Sequence, residues 1–121
     1  MKYTRIYADA AGESHFEDVE VKLAKVDFAP PAPPWDFSSF SPALQYAFCS
    51  FPAGWRGDWH PVPRRHIFFA ISGEIAVQAS DGEVRRFGSG GLLLAEDTEG
   101  KGHVTWVVSK TTLVAAVVHL P

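Results

Sequence analysis

The stretch GDWHPVPRRH, residues 57–66, sets His60 and His66 six positions apart, with Pro61, Pro63, Arg64 and Arg65 between them. Neutral imidazole is a ligand for divalent ions, so the first question is whether these two rings can share one. On an unbroken strand six residues span roughly 20 Å, too far for a shared ion. Pro61 and Pro63 change that, because proline interrupts ladder pairing and invites a bend. A bend would turn both side chains toward one point. The same residues also admit plain structural roles: His60 hydrogen-bonding near Asp58 and Trp59, His66 opening a phenylalanine-rich strand.

Arg64 and Arg65 lie between the histidines. Either they are a solvated loop pair, or one guanidinium holds a carboxylate or phosphate through its planar fork. Trp59, next to His60, is a candidate wall of the same pocket. Trp55 and Trp106 read as core. Arg85 and Arg86 read as structural, pairing with acids such as Glu74 or Glu83. Ser72 and Ser89 lack the context of a hydrolase nucleophile.

The elements that must position these groups are strands. The 121 residues suit one domain, and 46% hydrophobic with 13% aromatic content is enough to build a core. Eleven Lys and Arg against fourteen Asp and Glu leave no basic footprint for nucleic acid. The single cysteine, Cys49, excludes an internal disulfide and reads as a small hydrophobe. No apolar run approaches the ~20 residues of a membrane span. The polar, acidic start carries no secretory pattern. The expectation is a cytoplasmic protein with no membrane partner.

Period-two patterns and short apolar runs dominate. Strands are predicted in FEDVEVKLAKVDF, ALQYAFCSF, HIFFAIS, EIAVQAS, VRRF, LLLAE, HVTWVV and TLVAAVVHL. Turn signals such as SDGE and GSGG separate them. Ile67, Phe69 and Ile71 are expected to form the inward face of their strand. Residues 28–42, with prolines at 30, 31, 33 and 34, read as an extended strap that lies over the domain and buries Trp35, Phe37 and Phe40. Eight or nine closely spaced strands make a sandwich or barrel.

Two segments, approximately 54–73 and 91–107, resemble the paired signature motifs of the cupin superfamily. In the first, Gly54, His60 and Gly73 match the pattern. Val62 stands where the family has a second histidine, and His66 where it has a glutamate. In the second, Gly91, Gly100 and His103 follow the pattern with one residue inserted. Asp97 replaces a proline and Val107 an asparagine. The chain resembles small stand-alone bacterial cupin-domain proteins. The resemblance implies an all-β, double-stranded β-helix (a jelly-roll barrel) over residues 1–121, as a single domain.

The same resemblance implies that His60, His66 and His103 converge in the barrel mouth as metal ligands, for Zn, Fe, Mn or Ni. Glu96 and Asp97 would add a carboxylate or orient an imidazole from behind. With His66 replacing a glutamate, the ion keeps its full charge and favours an anionic ligand. His15 and His119 fall outside both motifs and read as surface or edge residues. Function then divides three ways: a metal-dependent enzyme on a small anionic or oxygenated molecule, a metal-free ligand-binding module, or a metal-free isomerase using histidine as base. A homodimer is expected from the aromatic surplus in PPWDFSSF and from the resemblance to small cupins.

Overall fold

The structure is a computed structural model and describes residues 1–121. It contains eleven strands and no helix, hence no helix long and apolar enough to cross a membrane. The strands are β1 (Lys2–Ala8), β2 (Ser14–Glu20), β3 (Ala24–Val26), β4 (Trp35–Phe37), β5 (Gln45–Phe51) and β6 (His66–Ser72). They continue with β7 (Ile75–Ala79), β8 (Val84–Phe87), β9 (Leu92–Ala95), β10 (His103–Val107) and β11 (Leu113–His119).

Six strands form one sheet in the order β2-β1-β9-β6-β11-β5; β10-β7-β8 form a second and β3-β4 a separate ribbon. The β1–β9 pairing is parallel and the remaining ladders are antiparallel. The core lies between the two larger sheets, where Ile6, Phe68, Val77, Leu93, Leu113 and Ala115 are buried in one cluster. A fully buried side chain of this kind is worth about 1.5–3 kcal/mol. The all-β jelly-roll expectation is met. So are most strand positions, because alternation and turn residues agree locally.

Three expectations need correction. β1 was not anticipated, because its KYTRIYA pattern mixes charge and aromatics on its outer side. FEDVEVKLAKVDF is not one strand: β2 ends at Glu20, and Ala24–Val26 pairs only with β4. The inward face of β6 is His66, Phe68 and Ala70, not Ile67, Phe69 and Ile71; Ile71 is 47% exposed. Both faces of HIFFAIS are apolar, so alternation alone cannot say which is inside. Partners decide it. Phe68 stands opposite Leu93 on one side and Val117 on the other, and that row faces the second sheet.

The strap is also corrected. Its aromatic rings Phe28, Trp35, Phe37 and Phe40 pack on one another, with centroids 4.9–6.3 Å apart. They do not bury against the barrel, and Phe40 stays 77% exposed. Ser38–Ser41 pass over Ile67, Phe69 and Leu92, with about 590 Å³ of open space beneath them. Arg85 and Arg86 are structural, as expected: Arg85 bonds Glu83 and Asp18 at 2.5 and 2.7 Å, and Arg86 lies 3.7 Å from Glu74. Burial raises the Cys49 thiol, so it is held as a neutral side chain.

One close approach positions the site. The start of β10 runs against the loop at His60, with reciprocal backbone hydrogen bonds of 3.1 and 3.0 Å between His60 and His103. Gly102 makes it possible. Its φ is +71°, and a Cβ there would stand 2.1 Å from the His60 carbonyl and 2.3 Å from the Pro61 nitrogen. Gly102→Ala is expected to cost about 2–4 kcal/mol, because strain and backbone overlap add. Gly54, at φ +81° with open space around its Cβ position, isolates the strain alone. Gly54→Ala should cost only about 1 kcal/mol. Urea unfolding of the two variants gives the comparison, and equal losses would contradict the close-approach account.

A second local device joins the β1–β2 turn to the β7–β8 hairpin. His15 Nε2 lies 2.7 Å from Asp9 and Nδ1 2.9 Å from Asp81. The hydrogen bonds to Asp9 and then Asp81 hold the imidazole above its ordinary range. Asp9 is held low chiefly by His15, and Asp81 chiefly by the Glu83 backbone N–H. A raised histidine contributes stability that is complete below its unfolded value of about 6.5 and is lost as pH rises through the folded one. The lowered carboxylates lose theirs as pH falls below about 4. The melting temperature of His15→Gln should therefore trail wild type more at pH 5.5 than at pH 9; an equal gap at both would show that the clamp does not titrate.

Candidate functional site

A cavity of about 210 Å³ opens between the two larger sheets and is lined by twelve residues, eight of them hydrophobic. Phe51, Trp55, Phe68 and Leu93 are among the apolar lining residues. The polar groups are His60, His66, His103 and Thr105. All three sequence-selected histidines therefore face one space. His66 comes from the inner row of β6, His103 from the first position of β10, and His60 from the loop held against β10 by the Gly102 contact.

Each of the three rings has its Nδ1 tied to an oxygen. His60 Nδ1 is 2.8 Å from the Asp58 carbonyl, His66 Nδ1 2.9 Å from the Arg64 carbonyl, and His103 Nδ1 2.5 Å from Asp97 Oδ2. A carbonyl oxygen only accepts, so His60 and His66 must carry their proton on Nδ1. When neutral, each presents Nε2 as a lone pair. A carboxylate behind an imidazole fixes its tautomer and raises its basicity as a ligand. Burial lowers the affinity of His66 for a proton, outweighing its bond to the Arg64 carbonyl, so this ring is neutral at pH 7.

The rings of His60 and His103 are 5.3 Å apart, centre to centre. Two imidazoles bound tetrahedrally to one ion at Zn–N distances of ~2.0–2.1 Å place their centres about 5 Å apart. The backbone bridge between His60 and His103 brings their rings to the 5.3 Å separation. No three of the His, Cys, Asp or Glu side chains are grouped closely enough to hold one ion. His66 lines the cavity without joining the pair. Among the three cavity imidazoles only His60 and His103 stand as a close pair.

Asp97 sits behind His103, entirely buried, while His103 is 7% exposed. Its second oxygen, Oδ1, has no hydrogen-bond partner. Its neighbour Glu96, just past the end of β9, binds instead Arg5 at 2.6 Å and Arg65. Burial pushes the Glu96 carboxyl up, but Arg65 and Arg5 outweigh it and hold the group low. Glu96 is therefore a structural ion-pair residue on the outer side.

Arg64 is exposed and its side chain does not line the cavity; only its carbonyl serves the site. Trp59 is also exposed and outside the lining, and Trp55 takes the wall position instead. Val62 is buried in the core, with its N–H bonded to the Asp97 carbonyl at 3.0 Å. It does not line the cavity, so it is not a vacant ligand position aimed at the site. His119, set aside in the sequence, stands opposite His66 across the β11–β6 ladder with ring centres 6.3 Å apart. Gln45 Nε2 donates to its Nδ1 at 2.8 Å. No motif marks His119; register alone brings it there.

No protein-family model matches the chain, and no curated protein matches it. Solved structures do. The cupin domain of Schizosaccharomyces pombe Cnp3 is similar over 89% of this chain and 73% of its own, with a TM-score of 0.51 at 14% identity. Protein NMB1881 from Neisseria meningitidis is similar over 83% of this chain and 84% of its own, with a TM-score of 0.48 at 15% identity. With the strand order and the facing sheets, the first likeness establishes the architecture: this chain has the cupin fold.

Proposed function

We propose that this protein is a small-molecule-binding domain that holds a divalent ion in the barrel mouth through the Nε2 atoms of His60 and His103. His66, on β6 of the facing sheet, would border the same space. The observation that carries the reading is the shared tether: each of three imidazoles facing one cavity has Nδ1 bound to oxygen and Nε2 left free. Bound only by neutral rings, the ion keeps its charge and attracts an anionic oxygen. The apolar lining favours a carboxylate attached to a small hydrophobic body. An ion so placed supplies Lewis acidity to that oxygen. The chain's own residues orient the rings, and Asp97 keeps His103 in its ligand tautomer.

A second reading is a metal-free module, in which the imidazole lone pairs accept hydrogen bonds from a donor-bearing molecule. The separation of His66 from the His60–His103 pair favours it.

Equilibrium dialysis of tag-free protein against Zn²⁺ or Co²⁺ separates the two. One ion per chain is expected, with weaker binding in acid, because an imidazole must be deprotonated to bind metal. His60→Ala and His103→Ala should each remove most of it, and His15→Ala none. Asp97→Asn should weaken affinity about 10–100-fold, as for other partners standing behind a metal-bound histidine. The visible spectrum of the Co²⁺ protein should change on adding benzoate. If wild-type protein takes up neither ion, the metal reading fails and the metal-free module stands.

A further inference from the structure

The outer face of the six-stranded sheet carries a second cavity, separate from the one between the sheets. Val19 stands opposite Tyr3 on the β1–β2 ladder, and Phe69 opposite Leu92 on the β6–β9 ladder. Strand alternation turns these side chains away from the core that Ile6, Phe68 and Leu93 occupy. They pave an apolar floor across four adjacent strands, in the order β2-β1-β9-β6. Three steps of ~4.8 Å give that floor a length of about 14 Å. Ser38, Ser39 and Ser41 of the strap pass over it. The space between is about 590 Å³, within the roughly 300–1,000 Å³ of small-molecule sites. A further hollow of about 400 Å³ shares Tyr3, Ser41 and Ile67 with it and continues over Leu94 and Leu120.

Charge in this trough is uneven. Glu20 and Lys22 border it where β2 runs out toward β3. Glu20 is paired with the Met1 amine at 3.7 Å. Lys25 and Lys101 are likewise paired, with Asp36 and Glu13, but Lys22 is not. Arg65, in the further hollow, is held by Glu96. The trough therefore offers one free cation at the end of an apolar floor, with hydroxyls above. Phe40, at its edge, belongs to the strap's own aromatic cluster, with Phe28 and Phe37 ring centres 6.3 and 5.5 Å away.

We propose that this trough binds a single-chain amphiphile with an anionic head, of the fatty-acid class. The carboxylate sits at Lys22, and the alkyl tail lies across Val19, Tyr3, Leu92 and Phe69 beneath the serines. Removing the tail from water supplies the affinity. The lone charge at one end sets the orientation. The trough and the histidine cavity lie on opposite sides of one sheet, so this site is independent of what the imidazoles bind.

Calorimetric titration of EDTA-treated wild type with decanoate, below its micelle concentration, should show saturable binding of one molecule per chain. Decanol has the same tail without the charge and should bind about tenfold more weakly; Lys22→Glu should weaken decanoate by a similar factor. Ser39→Phe fills the space from the strap, and Phe69→Ser makes the floor polar. Each should remove binding while keeping the β-type circular dichroism of wild type. His103→Ala should bind decanoate as wild type does, which separates the trough from the cavity between the sheets. Phe48→Ser, at an exposed position outside the trough, should also bind normally. Absence of saturable uptake by wild type overturns the proposal, as does uptake that survives both Ser39→Phe and Phe69→Ser. Equal affinity for decanol, or indifference to Lys22→Glu, overturns the anionic head. Uptake lost in His103→Ala puts decanoate in the inner cavity and overturns the trough. A chain that self-associates in light scattering and takes up no decanoate has the trough covered by a second copy, which overturns it as well.

Discussion

Two backbone hydrogen bonds between His60 and His103 decide how the imidazoles of this protein's cavity come together. They tie a proline-containing loop outside the regular strands to the first residue of β10. They also fix where His60 stands. With them its ring centre is 5.3 Å from that of His103. The approach is closer than any side chain at position 102 allows. A single missing Cβ thus couples the two sequence segments that carry the histidines.

Around that bridge the protein directs its imidazoles with oxygen atoms. Two are backbone carbonyls, supplied by residues two positions earlier in the chain, Asp58 and Arg64. The third is the carboxylate of Asp97, buried where an unpaired charge would be expensive. The carbonyls and the carboxylate do the same geometric job, but they differ electrically. A carbonyl only orients its ring, whereas the carboxylate also strengthens His103 as a donor to whatever occupies the cavity. The three histidines are therefore unequal, and His103 is the one whose surroundings are built most specifically.

The six-stranded sheet is apolar on both sides, and this has two consequences. Its inner row, with Phe68, Leu93 and Val117, packs against the second sheet and lines the cavity. Its outer row carries Ile67, Phe69 and Ile71, and the arm that might have sealed them packs mainly on itself. A two-faced strand is normal where both faces are covered. Here the inner cover comes from the same chain, and the outer row stays partly open beneath the arm.

Local patterns were enough to read the strands from β5 to β11, the turns between them and the cupin-like order of the two histidine segments. These features depend on neighbours in sequence: alternation, Gly and Asp in tight turns, prolines that end pairing. The pairing of Arg85 and Arg86 with Glu83 and Glu74 was legible for the same reason. Which face of HIFFAIS turns inward was not, since Ile67 and Phe68 are equally apolar and only the opposing residues on β9 and β11 distinguish them. Nor could spacing show that Glu96 faces Arg5 and Arg65 while Asp97 faces His103. It could not place Trp55 rather than Trp59 on the wall, or set His119 beside His66. Sequence by itself determined the residue types available to the site and the strand-rich architecture that holds them. Tertiary structure decided which of those residues meet, because sheet register and a glycine-sized gap act between segments that are distant along the chain.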